Sequence, residues 1–445
     1  MKPSVFSVRA IMGRYWLLLC VIFLILPNLV NALTIGEAIN MARERLPAYR
    51  AAMLKARATK ALATASLGPY LPSLDASGSY DRHYNQFPDY NAQVYQFDLS
   101  YILFDGGKRQ ANRNIALLNS DSDKENLRKT LIALEYDVKV AFYSVLAGKA
   151  SLDSKKLQLD DAQRDYDVAK GRYKFGIVKL SDMLQASVRL EQAKYNVVAA
   201  RGELRQAFAD LDSLIGMPLE AKPSLEGALS FIPTLPAIES LRKAVLRKPE
   251  IKQAADTVKI ARFDRSLELS AFWPTISADA AYVKSIGAAP GIVLIPEDRY
   301  VGLSAKWNIF ELGKFFRQKA AAISTTSSEA TLDETKRQLV LDLQKTYDNY
   351  LTSIEDLTVA KNQLHNAEHN YSLAFGEYKI GEADILSLVQ AETLLADARD
   401  QMINTKLNLL VNKSQLERVA GIPKLESLPI MVSQPTHPSG MHDSN

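Results

Sequence analysis

The chain has 445 residues, a formal net charge of +4 and one cysteine, with 47% hydrophobic and 23% charged residues. That length would fill two or three ordinary domains, and the near balance of charge offers no footprint for a nucleic-acid partner. Cys20 is the only thiol and falls in the segment read below as a removed signal, so the expected mature chain has no disulfide, no cysteine-ligated zinc and no cysteine nucleophile.

Arg9 and Arg14 precede an apolar run from Tyr15 to Leu26, and the segment ends in Val30-Asn31-Ala32. A basic flank, a short apolar core and a small-residue end predict a secretory signal over 1–32, cut after Ala32. The run is short for a membrane span, and Pro27 and Asn28 interrupt it. Leu19 stands where a lipoprotein signal needs a small residue, so Cys20 is not expected to carry lipid. Removing the segment takes away Lys2, Arg9 and Arg14 and no acid, which lowers the net charge from +4 to +1. No other stretch approaches a helical membrane span.

Next comes a helical pattern over 33–67, and then the period changes from 3.6 to 2. In "LDASGSYD", Leu74, Ala76, Gly78 and Tyr80 alternate with Asp75, Ser77, Ser79 and Asp81. In "VYQFDLSYILF", Tyr95, Phe97, Leu99, Tyr101 and Leu103 alternate with Gln96, Asp98 and Ser100. Each segment has about the ten residues that a tilted strand needs to cross a bilayer. Turn residues lie between them near Phe87-Pro88-Asp89.

From Lys108 to Phe175 there is no proline. A helix of that length reaches ~100 Å, too long for a globular core. Steps of 3 and 4 from Leu131 meet Leu134, Val138, Ala141, Val145, Gly148, Leu152, Lys155, Leu159, Ala162, Tyr166, Ala169 and Tyr173. This is a coiled-coil seam broken only at Gly148 and Lys155. A helix over 180–215 follows, then the proline-rich connector "GMPLEAKPSLEGALSFIPTLP" from Gly216.

The rest of the chain repeats this plan. A helix is expected over 238–271 and strands over 276–282 and 301–309, with turn residues from Pro290 to Asp298 between them. A proline-free helix over 314–380 and another over 384–420 complete the second copy. "GRYKFG" at Gly171 is echoed by "GEYKIG" at Gly376, 205 residues on, and "ILFDGGK" at Ile102 by "NIFELGK" at Asn308. Leu364, Ala367, Tyr371, Ala374 and Tyr378 reproduce the end of the first seam. The expected division is therefore a signal over 1–32, repeats over 33–221 and 222–423, and a disordered tail over 424–445. In each repeat a long helix descends to a glycine tip, and two half-length helices stack beside it. Four strands cannot close a barrel, which takes about eight, and open edges are not tolerated in hydrocarbon. The strands are thus expected to be completed by other copies of the chain, twelve in a trimer. A soluble hairpin on a secreted coiled-coil scaffold without a pore is the alternative.

The duplicated helix–strand–strand–helix plan, "FDGG" with its echo "FELG", and "RYKFGIVKLSDMLQA" with "EYKIGEADILSLVQA" resemble the TolC-like outer-membrane efflux proteins over Leu33 to Pro423. The resemblance implies a mainly α fold with a small β part. That is a helical coiled-coil tunnel in the periplasm and a four-strand share of a trimeric twelve-stranded barrel in the outer membrane of a Gram-negative bacterium. It further implies a periplasmic adaptor and an inner-membrane pump as partners, outer-membrane lipid around the barrel, and passive export of drugs, metals or proteins. Asp182 falls on an acidic entrance position and Tyr378 on a gating tyrosine, with Tyr173 its counterpart in the first repeat. Gly176, Leu180, Gly381 and Ile385 are the candidates for tip geometry and adaptor contact. Ala383, Ser387 and Gln390 stand where well-known relatives carry an arginine and two aspartates, so their salt-bridge latch is not written here.

"HNAEH" from His365 to His369 matches a zinc-protease string, but it lies on the coiled-coil helix, and its counterpart Asp160 to Arg164 has no histidine. His437, Met441 and His442 in the tail suggest metal binding no more strongly. No phosphate loop or nucleophile triad is written, so neither enzymatic activity nor a cofactor is expected.

Overall fold

The computed structural model describes residues 32–84, 89–230, 233–287 and 296–427. Residues 1–31 of the expected signal over 1–32, most of both strand-connecting loops and the tail beyond Ser427 lie outside the described residues. Eight α-helices and four strands are formed among the described residues: α1 (Ile35–Arg45), α2 (Pro47–Ala65), β1 (Ser73–His83), β2 (Tyr90–Phe104), α3 (Lys108–Lys174) and α4 (Leu180–Ile215). They continue with α5 (Ile238–Val245), α6 (Pro249–Ser270), β3 (Thr275–Ile286), β4 (Glu297–Lys306), α7 (Leu312–Ile380) and α8 (Ile385–Ala420).

The long helices run for 67 and 69 residues. Their seams are buried as the heptads require: Leu134, Val138, Ala141, Val145, Ala162 and Ala169 on α3, and Leu343, Tyr350, Leu357, Ala360, Ala367, Ala374 and Tyr378 on α7. Both breaks in the first seam have a physical reason. A Cβ on Gly148 would stand 3.1 Å from Leu204 Cδ1, so the absent side chain lets α4 come close. Lys155 pairs with Asp400 on α8, so its charge joins the two hairpins.

The upper half-length helices differ from the expectation of one helix each over 33–67 and 238–271. Both break ahead of a proline, at Leu46 (ψ 121°) and Lys248 (ψ 151°). Pro47 and Pro249 lack the amide that would continue the ladder, and each forces the residue before it out of the helical region. Each then serves as the first residue of the next helix. α3 packs on α4 towards the tip and on α2 and α6 above; α7 packs on α8 and α6 in the same way.

The connector straps the two cores together. Leu225 and Leu229 join the first core around Phe142, Leu211 and Ile215. Further along, Tyr350 donates its hydroxyl to the Thr234 carbonyl at 3.1 Å and Tyr347 to that of Pro236 at 3.3 Å, at the second core around Leu343, Leu409 and Leu416.

The strands form one antiparallel sheet in the order β1-β2-β3-β4. The register puts Leu74 opposite Leu99, Phe97 opposite Tyr282 and Ala280 opposite Val301, so the apolar sets of all four strands share one face. On the other face Ser100, Ser277 and Ser304 all donate to Asp279 at 2.9–3.1 Å. Two details depart from the alternation. A bulge between Ile102 and Phe104 sets Phe104, not Leu103, opposite Ile276. β4 ends at Lys306, and Trp307 leaves the sheet to donate its indole N–H to the Phe272 carbonyl at 3.1 Å. Among the described residues the outer strands β1 and β4 each keep one unpaired edge.

Candidate functional site

Both hairpins end in a glycine with left-handed backbone, Gly176 at φ 72° and Gly381 at φ 91°, where a side chain would be strained. Below α3, Gly176 donates to the Tyr173 carbonyl and Ile177 to that of Arg172, both at 2.9 Å. Below α7, Gly381 and Glu382 donate to the Glu377 carbonyl at 3.0 and 2.9 Å. These bonds satisfy carbonyls that the helix ends leave free. Asp384 caps α8 by accepting from the Ser387 amide at 2.8 Å, and that bond holds its carboxyl below the ordinary carboxylate range.

The tips meet at Tyr378. Its ring is fully buried, packed with Ala169, Ala186, Ile385 and Leu388 from both hairpins. The Arg172 guanidinium lies 4.7 Å from the ring centroid, and its Nη1 donates to the Tyr378 carbonyl at 2.5 Å. Among the described residues the phenol oxygen has no hydrogen-bond partner, and burial pushes its pKa up against the opposing Arg172 charge, with the Asp182 charge adding to the rise.

Above this contact stands a tier of buried charge. Tyr371 donates to Asp165 Oδ1 at 3.3 Å, while Asp165 Oδ2 has no partner among the described residues. Burial, with the nearby Glu392 charge, pushes the Asp165 carboxyl up to about 7. Arg189 on α4 reaches Glu392 on α8 at 3.6 Å, and Asp161 binds Arg399 at 3.0 Å as well as its neighbour Arg164. Higher still, Lys139 donates to Glu417 at 2.6 Å. Polar contacts therefore join hairpin α3–α4 to hairpin α7–α8 from the tip upwards.

The structure sets Asp182 where its charge bears on the Tyr378 phenol and leaves Tyr173 40% exposed. Asp182 is half-buried in the first turn of α4, accepting from the Ser181 hydroxyl at 3.0 Å. Gly176, Leu180 and Gly381 lie exposed at the tips. Ile385 does not: it is buried in the Tyr378 cluster, so its side chain packs the hairpins against each other and offers no outward surface. Sequence reasoning passed over Arg172, Asp165, Arg189 and Glu392. One signal was available for the first, since Arg172 in "GRYKFG" corresponds to Glu377 in "GEYKIG", a reversal of charge inside an otherwise repeated motif. His365 and His369 stand ring edge to ring face at 5.5 Å, and no group of three metal-ligating side chains occurs among the described residues.

The family model "Outer membrane efflux protein" matches the chain twice, over 38–217 and 240–422. Outer membrane protein TolC of Escherichia coli K12 is 24% identical over 375 residues, covering 79% of this chain and 75% of TolC. The toluene efflux pump outer membrane protein TtgF of Pseudomonas putida is 24% identical over 340 residues, covering 73% and 68%. In fold the chain is similar to the Campylobacter jejuni CmeC outer membrane channel, at a TM-score of 0.77, 14% identity and coverage of 87% and 85%. It is likewise similar to the open state of the Neisseria gonorrhoeae MtrE outer membrane channel, at 0.76, 18% identity and coverage of 87% and 89%. With both halves matched and the whole helix–sheet plan shared, the chain belongs to the outer membrane efflux protein family, with its sheet in the outer membrane and its helices in the periplasm.

Proposed function

We propose that the protein is the exit duct of a tripartite efflux or type I secretion assembly. It works as a homotrimer that receives substrate from a periplasmic adaptor and an inner-membrane pump. The observation that carries the reading is the sheet: an apolar outward face, a polar inward face and two unpaired edges, mounted on hairpins ~100 Å long. Three copies closing edge to edge satisfy those edges and leave a bore. In this reading the signal over 1–32 is removed and repeats 33–221 and 222–423 form equivalent staves of the tunnel. The segment expected as a disordered tail over 424–445 begins ordered, because Leu425 is buried in the second core and its amide donates to Glu417 at 3.0 Å. Tyr378 and Asp182 hold the periplasmic entrance closed, with Tyr173 at the seam between copies. Gly176, Leu180 and Gly381 present the tips to the adaptor, and Ile385 sets their packing.

The test is purification of the full chain from the outer membrane in detergent. A stable trimer with a central bore by electron microscopy, conducting in planar bilayers, is the expected result. A soluble periplasmic monomer, or a solid rod, would return the molecule to a coiled-coil scaffold.

A further inference from the structure

The outward face of the sheet is not uniformly apolar. Alternation from Leu74 places Tyr80 and Arg82 on it, and the register adds Tyr95, Lys284 and Glu297 in one row and Tyr282 and Arg299 in the next. Below these rows the same face carries Leu74, Leu99, Ala278, Ala280, Val301, Leu303 and Ala305, with no charge. Its charged residues, Arg82, Lys284, Glu297 and Arg299, each stand within three residues of the loop end of their strand. That end is the one away from the helices, hence the outer leaflet.

The group is organised. Glu297 lies between two cations, 4.0 Å from Lys284 and 3.4 Å from Arg299, and one carboxylate against three cations leaves two positive charges per copy. Arg299 lies 5.4 Å over the Tyr282 ring and Arg82 5.1 Å over that of Tyr84, so apolar stems and rings meet the hydrocarbon boundary while the cationic heads point onward. The Arg299 side chain is 75% exposed. Because the free edges are β1 and β4, closure of a ring of copies puts the strand bearing Arg82 beside the strand bearing Arg299, loop ends together.

We propose that Arg82, Lys284 and Arg299 form a cationic collar that binds the phosphate-bearing headgroups of outer-leaflet lipid. The proposal rests on the trimeric barrel reading above. Phosphate is the ligand chemistry that fits, because guanidinium and ammonium groups at a membrane surface meet anionic headgroups, and each such cation adds roughly fivefold to affinity. The tyrosines beneath set the depth at which those headgroups ride.

The test is native mass spectrometry of the detergent-solubilised full chain offered bis-phosphorylated lipid A and the same glycolipid stripped of phosphate. The wild type is expected to retain the phosphorylated form preferentially, Arg299→Gln to lose roughly fivefold of that preference, and Arg299→Lys to keep most of it. The combined variant R82Q/K284Q/R299Q should retain both lipids equally. Equal retention by the wild type, or an unchanged preference in both the single and combined variants, overturns the proposal. Trimer mass and planar-bilayer conductance are recorded on the same samples. Loss of the trimer in the wild type sinks the duct reading, whereas an intact conducting trimer that ignores phosphate sinks only the collar.

Discussion

Arg172 of the first hairpin caps the ring of Tyr378 of the second at 4.7 Å and bonds its carbonyl at 2.5 Å. The pair joins the two tips of one protomer across 206 positions of sequence. A cation over a desolvated ring is worth up to about 2 kcal/mol, and the bond to the carbonyl adds to it. Arg172→Ala is therefore expected to loosen the tips and raise the single-channel conductance in planar bilayers. Unchanged conductance would remove the pair from the gate.

The repeat makes the counterpart of this contact different. Glu377 occupies the Arg172 position in the second hairpin and Tyr173 the Tyr378 position in the first. In a ring of alternating hairpins, seams within a copy carry arginine against tyrosine, and seams between copies carry glutamate against tyrosine. Glu377→Arg is expected to add a second cation–π contact per copy and lower conductance, by an interaction of roughly 0.5–2 kcal/mol. A rise in conductance would sink the equivalence of the two seams.

Asp165 gives the tip region a dependence on pH. Its carboxyl titrates at about 7 in the folded chain against 3.8 for the ordinary group, so the folded form binds the proton more tightly. The stabilisation is full below the lower value and is lost as pH rises through the higher one. Contacts between α3 and α7 are thus expected to weaken between about pH 4 and pH 7, by up to about 1.4 kcal/mol per pH unit. Asp165→Asn, which keeps the shape and drops the charge, should flatten the dependence of Tm on pH across that window. A parallel slope in both proteins would refute it.

Asp182 bears on Tyr378 through its charge rather than through a bond. Asp182→Ala should raise leak conductance less than Arg172→Ala does. If leak is unaltered, the carboxylate acts only as a favourable charge in the first turn of α4, worth about 0.3–1 kcal/mol there.

Leu180 is exposed at the first tip, and its counterpart Ile385 is buried at the second. A thiol introduced by Leu180→Cys is expected to be linked to an adaptor lysine by a maleimide–succinimidyl reagent in intact cells, while one introduced by Ile385→Cys should not be. Equal labelling of both positions would contradict the packing described.

The architecture was legible because its signals are local and repeated. The seam of α3 needs only its own sequence, and so does the alternation from Leu74 to Tyr80. The alternation along each strand held in the sheet as well, apart from the bulge between Ile102 and Phe104. The breaks at Leu46 and Lys248 were legible in principle from Pro47 and Pro249, but the helical period on either side masked them. The gate was not legible in the same way. Arg172 and Asp165 take their meaning from partners some 200 residues away on another hairpin, and no period within one helix records that. The burial of Ile385 against the exposure of Leu180 arises from the same cause, since the tip of one hairpin leans on the other.

The unpaired edges of β1 and β4 also constrain how the molecule is made. A newly exported protomer presents two rows of open amides and carbonyls, a template for any stray strand. Hydrocarbon cannot accept those rows, so a lone copy has no stable inserted state. Insertion and oligomerisation are then a single event, and a chaperone that shields strand edges has its task defined during transit.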